Sequence, residues 1–129
     1  GKNVAPAPLE DRLRAHPLVS QAVVVGDERP FVAALVTIDE EAFEDWASEA
    51  GLDAASVAEA AETAELRAAV RAAIDVANRS VSRAESIREF AILPNDFTID
   101  AGELTPTLKV RRAVVHGRYQ AVIDSIYTA

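Results

Sequence analysis

The chain has 129 residues, a formal net charge of -8 and no cysteine, and half of its residues are apolar. That length suits one domain with its own core, and the composition is typical of a globular protein. The negative charge argues against a broad electrostatic grip on nucleic acid or anionic lipid, and the lack of cysteine excludes disulfides and thiolate metal sites. No stretch approaches the roughly 20 apolar residues of a membrane span. The chain starts at GKNVAP without a methionine, which favours a piece of a longer protein.

The first third of the chain predicts a short helix followed by a β-hairpin. Pro8 suits the first turn of a helix that ends at His16-Pro17. Two runs rich in β-branched residues, 21–26 and 31–38, predict strands. The turn between them, residues 27–30, is short, which favours antiparallel pairing.

Helix signals fill the middle of the chain. Asp39 has the position of an N-cap for a helix that closes at Gly51. Ser56 opens a short alanine-rich helix with capping-box spacing. A longer helix is predicted next, from an apolar stripe of Leu66, Val70, Ile74, Ala77 and Val81.

The last third predicts one more strand and one more helix. Residues 87–93 form an apolar-rich strand pattern, and residues 95–108 read as a loop. The final helix is indicated by an apolar face of Val115, Tyr119, Val122 and Ile126. This order predicts a small α+β domain with a three-stranded, mostly antiparallel sheet packed by helices.

Most familiar catalytic and binding motifs are not found in the sequence. His16 and His116 lie far apart without carboxylates at metal-ligand spacing, so no metal site is predicted. No serine or cysteine nucleophile motif, no phosphate-binding loop and no GxGxxG motif occurs. The acidic residues mostly fall on polar helix faces, where solvated surface is the expected role.

Lys109 is one of only two lysines, and it follows Thr105-Pro106-Thr107 just before the last helical pattern. A cation at a helix start gains nothing from the helix dipole. Lys109 is either a solvated surface lysine or a mobile charge delivered to a reaction housed elsewhere, since a lysine suits a single anionic oxygen. The local pattern leaves both interpretations open.

Several segments together resemble a known family. GKNVAPAPLEDRL at the start, the VVVG strand and FAILPNDFTIDAGELTPTLKVRR near the end resemble the C-terminal domain of acyl-CoA synthetases, members of the adenylate-forming superfamily that includes luciferases and peptide-synthetase adenylation domains. The form GELTPTLKVRR looks most like the long-chain fatty acid branch. The resemblance runs from residue 1 to about residue 125.

The resemblance implies part of a two-step ligase, inactive by itself. ATP, Mg²⁺ and CoA would be used by the complete enzyme and none would be bound by this domain alone. The partner would be a large N-terminal domain of the same polypeptide, joined through a hinge upstream of this chain, with fatty acid and CoA as substrates and no nucleic acid. A cytoplasmic location, compatible with peripheral membrane association, is implied as well.

The resemblance also assigns candidate site residues. Lys109 would be the catalytic lysine of acyl-adenylate formation, leaving the site when the domain rotates. The loop Gly1, Lys2 and Asn3 would then help line the CoA channel. Thr105, Thr107 and Arg112 would support the lysine motif.

Two alternatives remain open. The chain could be the lid of another adenylate-forming enzyme, such as a fatty acyl-AMP ligase or an aryl- or acetyl-CoA synthetase. It could also be an independent acidic interaction module with no catalytic role, since no substrate-binding motif is present.

Overall fold

A computed structural model describes residues 5–54 and 56–128. Within that range it contains three strands and six α-helices, with a 3₁₀ turn before the third strand. In chain order the elements are α1 (Pro6–Arg14), β1 (Val19–Val25), β2 (Val32–Ile38), α2 (Glu40–Ala50), α3 (Val57–Ala60), α4 (Ala64–Asn78), β3 (Ile87–Ile92), α5 (Arg112–Arg118) and α6 (Gln120–Thr128). No helix of the described residues is long and apolar enough to cross a membrane.

The strands form one mixed sheet in the order β1-β2-β3. β1 pairs antiparallel with β2, placing Val24 opposite Ala34, and β3 pairs parallel with β2, placing Phe90 opposite the same Ala34. The predicted α+β fold with three strands is confirmed. The sequence predicts a mostly antiparallel sheet, but only β1 and β2 pair in that way, and β3 is parallel to β2. Helices α2 to α4 lie between β2 and β3 in the chain, and such a crossover lets the third strand enter the sheet parallel to the second.

Each outer strand contains one register shift, and side chains on both sides of that shift point into the same hydrophobic core. The β1–β2 register shifts at Ser20, and the β2–β3 register shifts at Arg88. One extra residue reverses the alternation of side chains beyond it. Val19 and Ile87 therefore lie in the same hydrophobic cluster as the α4 side chains.

β2 is buried along its whole length because helices cover both faces of the sheet. One core lies between the sheet and helices α1, α2 and α4, and it takes Val32, Ala34, Val36 and Ile38 from β2. The second core takes Ala33 and Leu35 from β2 and packs them against α5, α6 and the loop after β3. The domain thus has three layers, with the sheet in the middle.

The predicted helix boundaries are confirmed where a polar cap or a glycine marks them. Asp39, Ser56 and Thr63 each accept a hydrogen bond from the backbone N–H three residues further on. Gly51 closes α2 in the left-handed region, at φ 69°. A side-chain cap of this kind stabilises a helix by about 1 kcal/mol, and Thr63 is one that the sequence pattern did not single out.

Two helix predictions are corrected by the structure. The single C-terminal helix is wrong: the chain breaks at Tyr119, with φ -106° and ψ 22°, into α5 and α6. The break coincides with a hydrogen bond from the Tyr119 hydroxyl to Glu103. The helix predicted from the apolar stripe through Val81 is also too long, because α4 ends at Asn78. The Asn78 side chain forms hydrogen bonds with the backbone of Ile87.

Candidate functional site

The lysine loop, residues 104–110, is a tight hairpin with a buried base and an exposed tip. Leu104 and Val110 form an antiparallel β-bridge at the base. Leu104 is buried in the second core, and Val110 packs against the same cluster. Lys109 directly precedes Val110 on the returning arm of the hairpin and is exposed. The core therefore fixes where the loop leaves the domain, while its cation points to solvent.

Thr105 holds the lysine loop closed. Its backbone N–H donates to the carbonyl of Lys109 at 2.8 Å, and its carbonyl accepts from the N–H of Leu108 at 2.8 Å. Its hydroxyl accepts from the N–H of Lys109 at 3.1 Å and lies 3.1 Å from the hydroxyl of Thr107. Pro106 adds a fixed φ to the same turn. These bonds order the backbone that carries the lysine.

Leu108, directly before the lysine, has an unusual backbone conformation. Its φ of 66° lies in the left-handed region, which Glu28 alone shares among the other non-glycine residues of the described chain. A leucine there costs about 1 kcal/mol relative to the right-handed conformation. The side chain is also 58% exposed, so burial within the domain does not offset that cost.

Lys109 has no ion-pair partner among the described residues. Lys109, Arg111 and Arg112 place three cations at the start of α5. The first turn of α5 contains no acidic residue to balance them. Helix N-termini favour negative charge, so this arrangement is locally unfavourable. The structure therefore places a free ammonium group on a fixed loop.

Arg112 joins the start of α5 to a buried carboxylate. Its Nη2 donates to Oε1 of Glu10 in α1. The other carboxylate oxygen, Oε2, accepts from the N–H of Val24 at 2.7 Å. Val24 belongs to β1, an outer strand of the sheet. Glu10 thus ties together one helix from each layer and the edge of the sheet.

Glu103 anchors the other side of the lysine loop. Its buried carboxylate accepts from the N–H of Thr98 at 3.2 Å and from the Tyr119 hydroxyl at 2.9 Å, and it pairs with Arg118 at 3.2 Å. Its carbonyl accepts from the N–H of Arg111 at 2.8 Å. Burial, and then the hydrogen bond to Glu103, raise the pKa of the Tyr119 phenol. The loop is therefore braced from both ends.

The predicted site residues divide into three groups in the structure. Lys109, Thr105 and Thr107 come together in the lysine loop. Arg112 is the first residue of α5, and its side chain contacts Glu10 rather than the tip of the lysine loop. Gly1, Lys2 and Asn3 lie outside the described residues.

Sequence reasoning missed Glu10, Glu103 and Leu108. Both carboxylates are buried, whereas acidic side chains are expected at the surface. The available signal for Glu10 was its place next to Leu9 and three residues before Leu13, on the apolar face of α1. No local pattern signals the left-handed backbone of Leu108, because glycine or asparagine is usual there.

The hydrogen bond that His16 accepts and the lining of one surface cleft do not include residues of the lysine loop. His16 Nδ1 accepts from the N–H of Leu18 at 3.2 Å, and residues 5–54 and 56–128 hold no cluster of three or more metal-ligating side chains. A cleft of about 820 Å³ lies between the β1–β2 turn and α5. Its lining includes Gly26 and Arg29 from the β1–β2 turn and Arg112 and His116 from α5.

The chain as a whole matches the model of a known family. A family model described as the AMP-binding enzyme C-terminal domain covers residues 1–129, and the chain belongs to this family. The resemblance to the C-terminal domain of adenylate-forming enzymes is thereby confirmed.

The sequence is also similar to particular proteins of known reaction class. The chain is 59% identical over 128 residues to the long-chain-fatty-acid–CoA ligase FadD15 of Mycobacterium tuberculosis, covering 98% of this chain and 21% of that one. It is 36% identical over 145 residues to the chicken (Gallus gallus) long-chain-fatty-acid–CoA ligase ACSBG2, covering 98% and 19%. The chain therefore spans about a fifth of the length of these relatives.

Solved structures agree on the fold. The adenylation domain of the Segniliparus rugosus carboxylic acid reductase, bound to AMP and a co-purified carboxylic acid, matches with a TM-score of 0.72 at 26% identity, over 98% of this chain and 18% of that one. A Mycobacterium tuberculosis fatty acyl CoA synthetase matches with a TM-score of 0.53 at 20% identity, over 95% and 19%, which shows the fold alone.

Proposed function

We propose that this chain is the mobile C-terminal domain of a long-chain fatty acid–CoA ligase and that Lys109 is its catalytic cation. The observation that carries the proposal is an ammonium group without an ion-pair partner in the described chain, presented on a braced, exposed loop. The 59% identity to a long-chain-fatty-acid–CoA ligase supports the reaction class. A large N-terminal domain of the same polypeptide would hold ATP, magnesium and the fatty acid.

In the first half-reaction the fatty carboxylate attacks the α-phosphorus of ATP and pyrophosphate leaves, giving an acyl-adenylate. Two anions must approach each other, and negative charge spreads over the phosphoryl oxygens in the transition state. The ammonium group of Lys109 would bridge the carboxylate and these oxygens.

The electrostatic benefit depends on closure. A unit charge about 4 Å away contributes about 1 kcal/mol in water and about 4 kcal/mol at an effective dielectric of about 20. The larger value corresponds to roughly a thousandfold in rate. Exposed as it is in this domain, Lys109 would do little until the partner domain excludes water around it.

In the second half-reaction the CoA thiol attacks the acyl carbonyl and AMP leaves. The domain would rotate about the upstream hinge, taking Lys109 away and bringing the loop Gly1, Lys2 and Asn3 to the CoA channel. Thr105 and Thr107 would keep the lysine loop closed in both orientations, and Arg112 would hold α5 to α1 through Glu10. One site would thus perform two reactions in turn.

A second candidate function differs in the thiol that accepts the acyl group. The adenylation domain of a carboxylic acid reductase, bound to AMP and a carboxylic acid, is 26% identical to this chain and shares its fold with a TM-score of 0.72. That likeness supports, as the alternative, a carboxylate-activating domain whose acyl acceptor is not free CoA. Formation of acyl-CoA from fatty acid, ATP and free CoA by the complete enzyme would favour the ligase.

The test of the lysine is Lys109→Ala in the complete enzyme. We expect acyl-adenylate formation, measured as pyrophosphate exchange, to fall by about a thousandfold, because the transition-state charge loses its cation. Thioester formation from supplied acyl-adenylate should change by less than about threefold, since Lys109 has left the site by then.

Arg111→Gln is the matched control, because it removes a neighbouring exposed cation at the same helix entry. It should leave both half-reactions near the wild-type rate. Equal loss of both half-reactions in Lys109→Ala, or loss of neither, would refute the assigned role.

A further inference from the structure

Leu108 combines two unfavourable features that the domain itself does not compensate. It is the most exposed large apolar side chain of the described residues, at 58%. It belongs to neither hydrophobic cluster. Its backbone is held at φ 66°, where side chains other than glycine and asparagine are strained.

The turn explains why a left-handed residue is needed but not why it is leucine. The N–H of Leu108 donates to the Thr105 carbonyl, and the Thr105 N–H donates to the Lys109 carbonyl. Hairpin loops closed in this way use one left-handed residue, most often glycine. Glycine or asparagine would close the same turn with less strain. Neither the exposure nor the backbone strain of Leu108 is compensated by packing among the described residues.

We propose that Leu108 is a docking residue that fits an apolar recess of the nucleotide-binding domain when the lysine loop enters the active site. This inference rests on the proposed function. Leu108 adjoins Lys109 on a loop whose base is fixed in the second core, so seating one side chain sets the depth of the other. An apolar neighbour also displaces water from around the ammonium group, which strengthens its attraction to the reacting anions.

Two substitutions separate docking from backbone strain. Leu108→Asn suits the left-handed backbone but is polar, whereas Leu108→Met keeps an apolar side chain in the strained backbone. In the complete enzyme, Leu108→Asn should lower pyrophosphate exchange by about tenfold or more, because a misplaced cation stabilises the transition state less well. Leu108→Met should stay within about threefold of wild type, and both should form thioester from supplied acyl-adenylate at nearly the wild-type rate.

Val76→Gln is the control for loss of an exposed apolar group, because Val76 is 55% exposed on α4, and it should leave pyrophosphate exchange unchanged. Urea unfolding of this chain should show Leu108→Asn no less stable than wild type, which excludes misfolding as the cause. Full exchange activity in Leu108→Asn overturns the docking role, as does equal loss in Leu108→Met. If Lys109→Ala in the same assay is fully active, the proposed function itself fails.

Discussion

At the scale of single residues, Glu10 and Arg112 form the most informative pair in the domain. The Glu10 side chain is 6% exposed and the Arg112 side chain 43%, so the carboxylate is buried and the guanidinium reaches it from the surface. A buried carboxylate is costly unless its oxygens are hydrogen-bonded. Val24 and Arg112 supply one bond to each oxygen. Arg112 thereby connects the entry of α5, next to the lysine loop, to the opposite layer.

Arg112→Ala should destabilise this chain by about 2 kcal/mol, because it leaves a buried carboxylate without its counter-ion. Urea unfolding followed by circular dichroism measures the change. The matched control is Arg14→Ala, which breaks the exposed Arg14–Asp11 pair and should cost less than about 1 kcal/mol. Equal effects of the two substitutions would show that Glu10 does not depend on Arg112.

At the scale of elements, β3 is an outer strand, and side chains of α4 cover the beginning of its free edge. Asn78 donates to the Ile87 carbonyl at 2.9 Å and accepts from the Ile87 N–H at 2.8 Å, so one amide pairs with both backbone groups. Arg71 donates to the Arg88 carbonyl at 3.1 Å and also lies over the ring of Phe90. Uncovered strand edges invite pairing with other chains, and these contacts remove part of that edge.

Asn78→Ala should lower the free energy of unfolding by about 2 kcal/mol, because two backbone groups of a buried residue lose their partners. Thermal or urea unfolding tests this. Arg79→Ala is the control, since Arg79 is the next residue and is exposed, and it should change stability by less than about 0.5 kcal/mol. If Asn78→Ala matched that control, water would satisfy Ile87 equally well.

At the scale of the whole molecule, the two tyrosines tie the C-terminal helices to the rest of the domain. Tyr127 in α6 donates to the carbonyl of Phe31, just before β2, at 2.8 Å. Tyr119 at the α5–α6 break donates to Glu103. Burial raises the pKa of both phenols above the ordinary tyrosine value. The folded domain thus holds both phenolic protons more tightly than the unfolded chain does.

Stability should therefore fall as pH rises above about 10, because the unfolded chain loses these phenolic protons first. The contribution is fully present below the unfolded pKa and is lost as pH rises through the folded pKa. Urea unfolding at a series of pH values between about 8 and 11 measures it. The chain has only two lysines, so few other groups titrate in that range.

The Tyr119→Phe, Tyr127→Phe double variant provides the control for the pH dependence. It should be less stable at neutral pH, having lost two hydrogen bonds, but its stability should depend less steeply on alkaline pH. An unchanged slope in this variant would assign the alkaline loss to other groups.

The molecule as a whole is a braced support for an exposed cation. Two buried carboxylates, Glu10 and Glu103, fix the chain on either side of the lysine loop. The ammonium group between them is left without an ion-pair partner in the described residues. Under the proposed function, rigidity in the support and solvation of the cation are both needed, since the lysine must enter and leave another domain's site.

The sequence by itself determined the strands, the helix-capping residues Asp39, Ser56 and Gly51, and the family motif around Lys109. Apolar runs, Asp39, Ser56 and Gly51 are local signals, and each is carried by a few adjacent residues. The motif around Lys109 was likewise readable from its neighbours, and through resemblance it indicated the family that the comparisons confirm.

Only the tertiary structure decided the direction of β3, the break at Tyr119 and the burial of Glu10 and Glu103. These features depend on partners far away in the chain, such as Arg112 for Glu10 and Ala34 for Phe90. The residues next to a carboxylate in the sequence do not reveal such partners. Burying a charged side chain is unfavourable unless hydrogen-bond donors surround it, and here those donors come from distant parts of the chain. The left-handed backbone of Leu108 has a local cause instead: hydrogen bonds between Thr105 and both Leu108 and Lys109 hold it against the preference of a leucine.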